Sequence, residues 1–584
     1  MKRRAGSKRG QTFLQGAMIL TASMGIVKVI GAFFKLPLAG LLGGEGYGYF
    51  LSAYNLYNPI FTLASAGFPI AISRMISESI ARKRFRDVRQ IHRVSIPIFL
   101  VTGGVGFLLM FGGAFLYVKI IDAPGALYAM LALSPTILFA CLMSIYRGYY
   151  EGMRNMVPTA ISEVIEALCK LILGLAFCSG IITAGMNEYY ASGTVWGTPY
   201  NTEELARAAT MPYAAAGAIL GITIGSLGGF LFLLMRHKVR GDGITREELM
   251  QSPRARSGRA TFHSLIRIAV PVGIGALILN LAGFIDATLI QQRLSSIMDS
   301  SSETLLKLYK GLIPQETIDS GKVHTYLYGC YGYAGNIMMI IPAITQTFGI
   351  SALPTVTAAW TSGVHKELKK SVEAVLRISA LFTIPAGLGI AFLSQPILNL
   401  LYGSSPNEVT IAAPVLVVMG FGAIFSAIST PLCSMLQAVG RVDLPVKLLT
   451  IGLAVKVLLN YTLVGIPEVN IQGASAGTLV CYAFVTVAAL FFLCRETKII
   501  PNFVSVFLKP LLAGLLCAVA AYASQGLLAL VINAKIATLI AICLAVLVYI
   551  IALFALRAIN KDDVLMLPKG QKIAKILEKR NWIG

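Results

Sequence analysis

The chain has 584 residues, 56% of them hydrophobic and 13% charged, with a mean hydropathy of +0.74. Soluble domains are roughly a quarter charged, so a water-soluble enzyme or binding module is excluded. The formal net charge of +22 does not point to nucleic acid, because Lys and Arg gather at 2–9, 82–93, 236–267, 366–370, 495–509 and 557–580, with apolar spans in pairs between, the pattern of basic loops kept on the cytoplasmic side of a membrane.

Hydrophobic runs bounded by turn and charge signals predict about fourteen membrane spans, near 11–42, 48–80, 94–120, 125–150, 157–185, 209–235, 265–292, 325–360, 372–400, 410–438, 444–466, 471–494, 503–531 and 536–558. The first is too long for the apolar part of a signal peptide and is read as retained. The even count places both termini in the cytoplasm. Most outward connections are short, but 187–210 and 294–324 are longer and polar.

The basic, turn-rich stretch 236–264 reads as a linker. It divides an N-lobe of six spans (1–235) from a C-lobe of six (265–494), followed by two more spans and a basic cytoplasmic tail (495–584). Internal similarity supports a parallel six-plus-six repeat: Arg154-Asn-Met-Val-Pro158 and Arg441-Val-Asp-Leu-Pro445 each open a span, at an offset of about 287 residues. The expected fold is therefore an all-α polytopic membrane protein, two six-helix lobes with two C-terminal helices.

Candidate site residues are charges well inside spans, where each costs several kcal/mol unless it meets water, a counter-charge or a ligand. Lys28 and Lys35 are seven residues apart, about two turns, and so leave the same face of the first span. They mark a polar cavity for an anionic group, or else they pair with Glu163 and Glu166. Arg74 either joins that cavity or pairs with Glu78 one turn on. Glu166 and Lys170 belong to it or neutralise each other at i, i+4. In the second half Asp286, Lys456, Asn460 and Thr478 stand inside spans. They suit a monovalent-cation or proton site, or an internal Asp286–Lys456 ion pair. Tyr47, Tyr49, Tyr54 and Tyr57 read as interfacial packing and alternatively as ligand stacking. The nine cysteines and five histidines show no disulfide or zinc spacing.

Phe34-Lys-Leu-Pro-Leu-Ala, Gly46-Tyr-Gly-Tyr-Phe, Ala66-Gly-Phe-Pro-Ile-Ala-Ile-Ser-Arg74, Arg147-Gly-Tyr-Tyr-Glu-Gly-Met-Arg-Asn-Met-Val-Pro158 and Leu436-Gln-Ala-Val-Gly-Arg441 together resemble the stage V sporulation protein B and MurJ-type branch of the polysaccharide exporters. The resemblance covers nearly the whole chain. It implies the MOP (multidrug/oligosaccharidyl-lipid/polysaccharide) flippase fold, a monomer in the bacterial cytoplasmic membrane. The implied cargo is an undecaprenyl-pyrophosphate-linked sugar precursor, lipid II above all, for peptidoglycan or spore cortex. On it, Lys28 and Lys35 match a region of cavity arginines, the stretch ending at Asn336 stands where relatives place another arginine, and Asp286, Asn460 and Thr478 fall near a sodium site. Lys456 replaces a neutral residue there. The coupling ion is then Na+ or H+, or Lys456 stands in its place as a tethered cation, with no other cofactor and anionic lipids as neighbours. The alternatives are a MATE-type multidrug or cation antiporter, another polysaccharide-lipid exporter, and a membrane glycosyltransferase. An antiporter for cations would favour acidic cavity residues, and the outward loops hold no convincing catalytic constellation for a transferase.

Overall fold

The computed structural model describes residues 13–65 and 67–558. The basic stretch at 2–9 and the tail at 559–584 lie outside the described residues. Among the described residues eleven helical stretches, from 21 to 60 residues long, are long and apolar enough to cross a membrane, given that about 20 helical residues span roughly 30 Å. The chain divides into two compact units, Met1–Ser295 with Pro314–Gly329, and Ser296–Ile313 with Cys330–Gly584.

The first unit holds α1 (Phe13–Ser65), α2 (Phe68–Ala81), α3 (Phe85–Ile120), α4 (Leu127–Gly152), α5 (Val157–Ser192), α6 (Glu203–Arg240), α7 (Arg246–Gln251), most of α8 (Gly258–Leu308), α9 (Gln315–Asp319) and the start of α10 (Val323–Met338). The first two predicted spans are not separated by a loop: α1 runs through both, kinked at Gly43 (φ 61, ψ −170). The break falls later, at Gly67 (φ 81), where a Cβ would lie 2.1 Å from the Ala269 carbonyl oxygen. Only glycine fits there, and Pro69 then starts α2 in the position that costs no hydrogen bond.

α1 and α10 touch backbone to backbone. A Cβ on Gly48 would sit 2.3 Å from the Thr325 carbonyl oxygen, and one on Gly329 1.8 Å from that of Gly44, the close approach that small residues allow between membrane helices. Beside this crossing the buried Glu45 accepts from Lys322 Nζ (2.9 Å) and Tyr49 Oη (2.7 Å). Ser52 donates to Gln291 (2.9 Å), and Asn55 donates to Tyr328 (2.7 Å).

The two long connections are more ordered than their polarity suggests. α8 continues to Leu308, bent at Ser301, and its exposed end carries a Glu303–Lys307 pair at i, i+4 (2.8 Å); α9 follows. Between α5 and α6 a hairpin of β1 (Thr194–Val195) and β2 (Thr198–Pro199) turns at Trp196 (φ 53) and Gly197 (φ 79), two positive φ values that suit a tight antiparallel turn. It is a small exception to the all-α expectation. The predicted linker is likewise not slack. α7 opens on a capping box of Thr245 and Glu248. The start of α3 grips the stretch around it, through Arg89–Asp242 (2.7 Å), Arg86 Nε to the Leu249 carbonyl (2.9 Å) and Asp87 accepting from the Arg256 N–H (2.8 Å).

The second unit continues with α11 (Ile340–Thr361), α12 (His365–Phe392), α13 (Ser394–Tyr402), α14 (Pro406–Ala438), α15 (Asp443–Leu463), α16 (Asn470–Thr497), α17 (Lys509–Leu528) and α18 (Ala534–Ala555). The predicted spans 325–360 and 372–400 each prove to be two helices, broken at Met339 and Leu393. Val356, Leu376, Leu432, Met435 and Leu493 form its core across α11, α12, α14 and α16. α18 is tied to α12 by Tyr549 Oη donating to the Leu381 carbonyl (2.6 Å).

The repeat is visible in its turns. α4 ends with Arg154 in the left-handed region (φ 55), its N–H donating to Glu151 O (3.0 Å) and that of Asn155 to Tyr150 O (2.9 Å). α14 ends the same way at Gly440 (φ 89), whose N–H donates to Gln437 O (3.0 Å) while that of Arg441 donates to Leu436 O (2.9 Å). This hydrogen-bonded helix ending pairs Arg154 with Gly440, one residue off the match that side-chain identity suggests.

Candidate functional site

In the first unit a cavity of about 380 Å³ opens between α1, α4 and α5, with Lys28, Arg147, Glu163, Glu166 and Lys170 in its wall. Lys28 comes from the exposed face of α1. Nothing stands within 4 Å of where a Cβ on Gly25 or Gly31 would be, so this stretch of α1 leaves room beside the lysine. Across from it α5 presents its charges one turn apart, at 163, 166 and 170.

Each carboxylate is already held. Glu163 accepts from Ser23 Oγ of α1 (3.0 Å). Glu166 accepts from Arg147 Nη2 of α4 (3.0 Å) and from Ser226 Oγ of α6 (3.1 Å), while Arg147 Nε donates to Ser162 Oγ (3.0 Å). The planar guanidinium thereby fastens two positions of α5 at once. Lys170 takes a different direction from the i, i+4 pairing its spacing allows. It donates to Tyr54 Oη (3.3 Å), and its ammonium lies 4.9 Å from the Phe34 ring centre and 5.5 Å from that of Tyr54, so ring faces share its stabilisation with Glu166. Lys35 stands within electrostatic reach of Lys170. Lys35 does not line the cavity, so three cations, Lys28, Arg147 and Lys170, stand against Glu163 and Glu166 in its wall, a surplus of one positive charge around an open space.

Behind it a ladder of rings runs along α1: Tyr47–Phe50 at 5.7 Å, Phe50–Tyr54 at 5.1 Å, Tyr54–Tyr57 at 6.0 Å and Tyr57–Phe61 at 5.3 Å. Tyr47 and Tyr49 are fully buried. The tyrosines therefore pack inside the unit and do not form an interfacial belt, and Tyr54 joins the ladder to the charged wall.

The other candidates lie elsewhere. Arg74 is exposed on α2 and does not line the cavity; Glu78 pairs with Arg82 (2.9 Å). Asp286, buried on α8, belongs to the first unit. Asn336, Lys456, Asn460 and Thr478 belong to the second. Asn336 donates to Tyr402 Oη (3.5 Å), whose ring stacks on Tyr333 at 4.5 Å. Asn460 and Thr478 are buried where α15 meets α16: Thr478 donates back to the Ala474 carbonyl (2.9 Å), and a Cβ on Gly477 would fall 2.2 Å from Asn460 Oδ1. Sequence reasoning missed Arg147 and Ser226. Arg147 lies near the end of a predicted span, away from the charges in mid-span that draw attention, and a serine carries no signal until its neighbour is known.

Eleven candidate spans among the described residues, with a cation-rich cavity in the first unit, define a multi-pass membrane protein. Residues 13–196 match the polysaccharide biosynthesis protein family and residues 321–462 the MatE family. Among curated relatives, stage V sporulation protein B of Bacillus subtilis is 25% identical over 574 residues, covering 96% of this chain and 98% of its own. Lipid II flippase MurJ of the same organism is 24% identical over 479 residues, 80% of each chain. Solved structures share the fold. An inward-facing multidrug resistance MATE family transporter of the MOP superfamily has a TM-score of 0.59 and 13% identity over 83% of this chain and 98% of its own. Lipid II flippase MurJ in an inward closed conformation has a TM-score of 0.58 and 15% identity over 92% and 98%. Over most of its length the chain is thus similar to lipid II flippase MurJ and to stage V sporulation protein B, and it has the fold of these solved transporters.

Proposed function

We propose that this protein flips an undecaprenyl-pyrophosphate-linked cell-wall precursor, lipid II in the first instance, from the cytoplasmic to the outer leaflet, with both termini in the cytoplasm. One observation carries the reading: the cavity of Lys28, Arg147 and Lys170 keeps a surplus of positive charge in an apolar wall, which suits a diphosphate and disfavours a cationic drug. Glu166 pairs with Arg147 and Glu163 accepts from Ser23, and three cations against two carboxylates still leave the wall positive. Transport needs no bond made or broken, so the residues hold and release the head group and perform no catalysis. A coupling ion, Na+ or H+, belongs to the same proposal, with Asp286 in the first unit and Lys456, Asn460 and Thr478 in the second as separate candidates, and replacing sodium by potassium in a transport assay tests it. The substrate is tested by depleting the protein and measuring which lipid-linked precursor accumulates on the cytoplasmic face. Accumulation of lipid II supports the reading; an unchanged precursor pool with altered drug efflux contradicts it.

A further inference from the structure

A second charged cavity, of about 200 Å³, lies in the first unit where the C-terminal end of α2, the start of α3, the linker and the start of α8 converge. Four guanidinium groups line it, from Arg82, Arg84, Arg256 and Arg267, against the carboxylates of Glu78 and Asp87. Both carboxylates are committed. Asp87, 4% exposed, accepts from Arg84 Nε at 2.5 Å and stands 3.7 Å from Arg256 Nε, while Glu78 pairs with Arg82 at 2.9 Å. Arg267 makes no ion pair among the described residues, and Ser264, one turn before it on α8, also faces the cavity. The remaining wall is apolar, from Met75, Ile91 and Ile268.

We propose that this cavity binds a phosphate ester. Its chemistry is specific: four guanidinium groups against two carboxylates leave a net charge of +2, planar donor forks match phosphate oxygens, Ser264 supplies a hydroxyl donor, and the apolar floor accepts the first carbons of an esterified chain. The residues differ from those around Lys28, and the cavity lies among the basic clusters that are expected to face the cytoplasm. The same chemistry would serve an anionic phospholipid head group at the membrane surface or a soluble phosphate. Bound phosphate would bridge α2 to α8 through Arg82 and Arg267, adding a ligand-dependent tie beside the permanent one made by Asp87.

The test uses the full-length purified protein, with Arg84 and Arg256 left intact because they hold Asp87. In one arm native mass spectrometry counts phosphatidylglycerol against phosphatidylcholine retained by the wild type, Arg267→Gln and Arg267→Lys. In the other, inorganic pyrophosphate is titrated while melting is followed. The wild type should retain phosphatidylglycerol selectively, with about tenfold weaker retention for Arg267→Gln and an intermediate value for Arg267→Lys, which keeps the charge and loses the fork. Selectivity in the lipid arm alone assigns the head group of a phospholipid, and a melting shift by pyrophosphate alone assigns a soluble phosphate. If neither ligand separates the wild type from Arg267→Gln, or from Arg267→Lys should the glutamine variant fail to fold, the proposal is overturned.

Discussion

Arg147 of α4 binds Glu166 of α5 at 3.0 Å and Ser162 of the same helix at 3.0 Å, so the wall of the charged cavity is built by a side chain from a neighbouring helix. Removing one partner of a partly buried pair leaves the other desolvated and unmatched, at a cost of about 2 kcal/mol. Arg147→Ala should therefore lower the melting temperature and abolish transport. Arg147→Ala with Glu166→Gln should recover part of the melting temperature while transport stays lost. Equal melting of the single and double variants would show that the pair does not organise the wall.

Lys28 lines the cavity, and Lys35 stands within electrostatic reach of Lys170 in its wall. Lys28→Ala and Lys35→Ala are expected to abolish transport with membrane levels near normal, measured by complementation and immunoblot. Lys170→Met should cost activity and some stability together, since its ammonium also packs on Phe34 and Tyr54. Full complementation by the Lys28 and Lys35 variants would make those lysines structural.

At the crossing of α1 and α10, Gly48→Ala places a methyl group against the Thr325 carbonyl and must push the helices apart. A cysteine at Ser52, a site that is fully buried, should then react with a water-soluble maleimide faster by about tenfold or more, as local opening becomes less costly. Glu45→Gln, which weakens the tie to Lys322, should act in the same direction by less. Unchanged labelling in both variants would mean that this crossing does not close that end of the unit.

The clasp on the linker carries a pH dependence. Burial alone would raise the Asp242 carboxyl, but hydrogen bonds from Arg89 and from the Ile244 N–H outweigh it and hold the group below its ordinary value. A carboxyl depressed in the folded state contributes stability that is present above its unfolded pKa and lost as pH falls through the folded one. Limited proteolysis within 241–257 should stay slow from neutral pH into the ordinary carboxylate range and quicken only below it. Asp242→Asn should be cut quickly at neutral pH, and protection equal to the wild type would contradict the clasp.

What could be read from the sequence was what a one-dimensional signal carries. Apolar run length marks spans, basic clusters mark one membrane side, and Lys28 and Lys170 are conspicuous because charge inside an apolar run is costly. Helix breaks were harder. A glycine ends or merely kinks a helix according to what crosses it: Gly67 lies under the Ala269 carbonyl and starts a new helix, whereas Gly43 bends α1 without ending it. Arg147 was hidden because its role depends on Glu166 and Ser162, which reach it only through packing of α4 on α5. The repeat match was one residue out, because Arg154 and Arg441 share a side chain while Arg154 and Gly440 share the backbone conformation.

The most direct test of the central claim is a flipping assay in proteoliposomes that hold the purified protein and a fluorescent lipid II, with an impermeant quencher added outside. The wild type should carry the labelled lipid between leaflets on a timescale of minutes, and Lys28→Ala should match protein-free vesicles. Vesicles with the wild type that flip no faster than protein-free ones, under an imposed ion gradient and membrane potential as well as without them, would contradict the account.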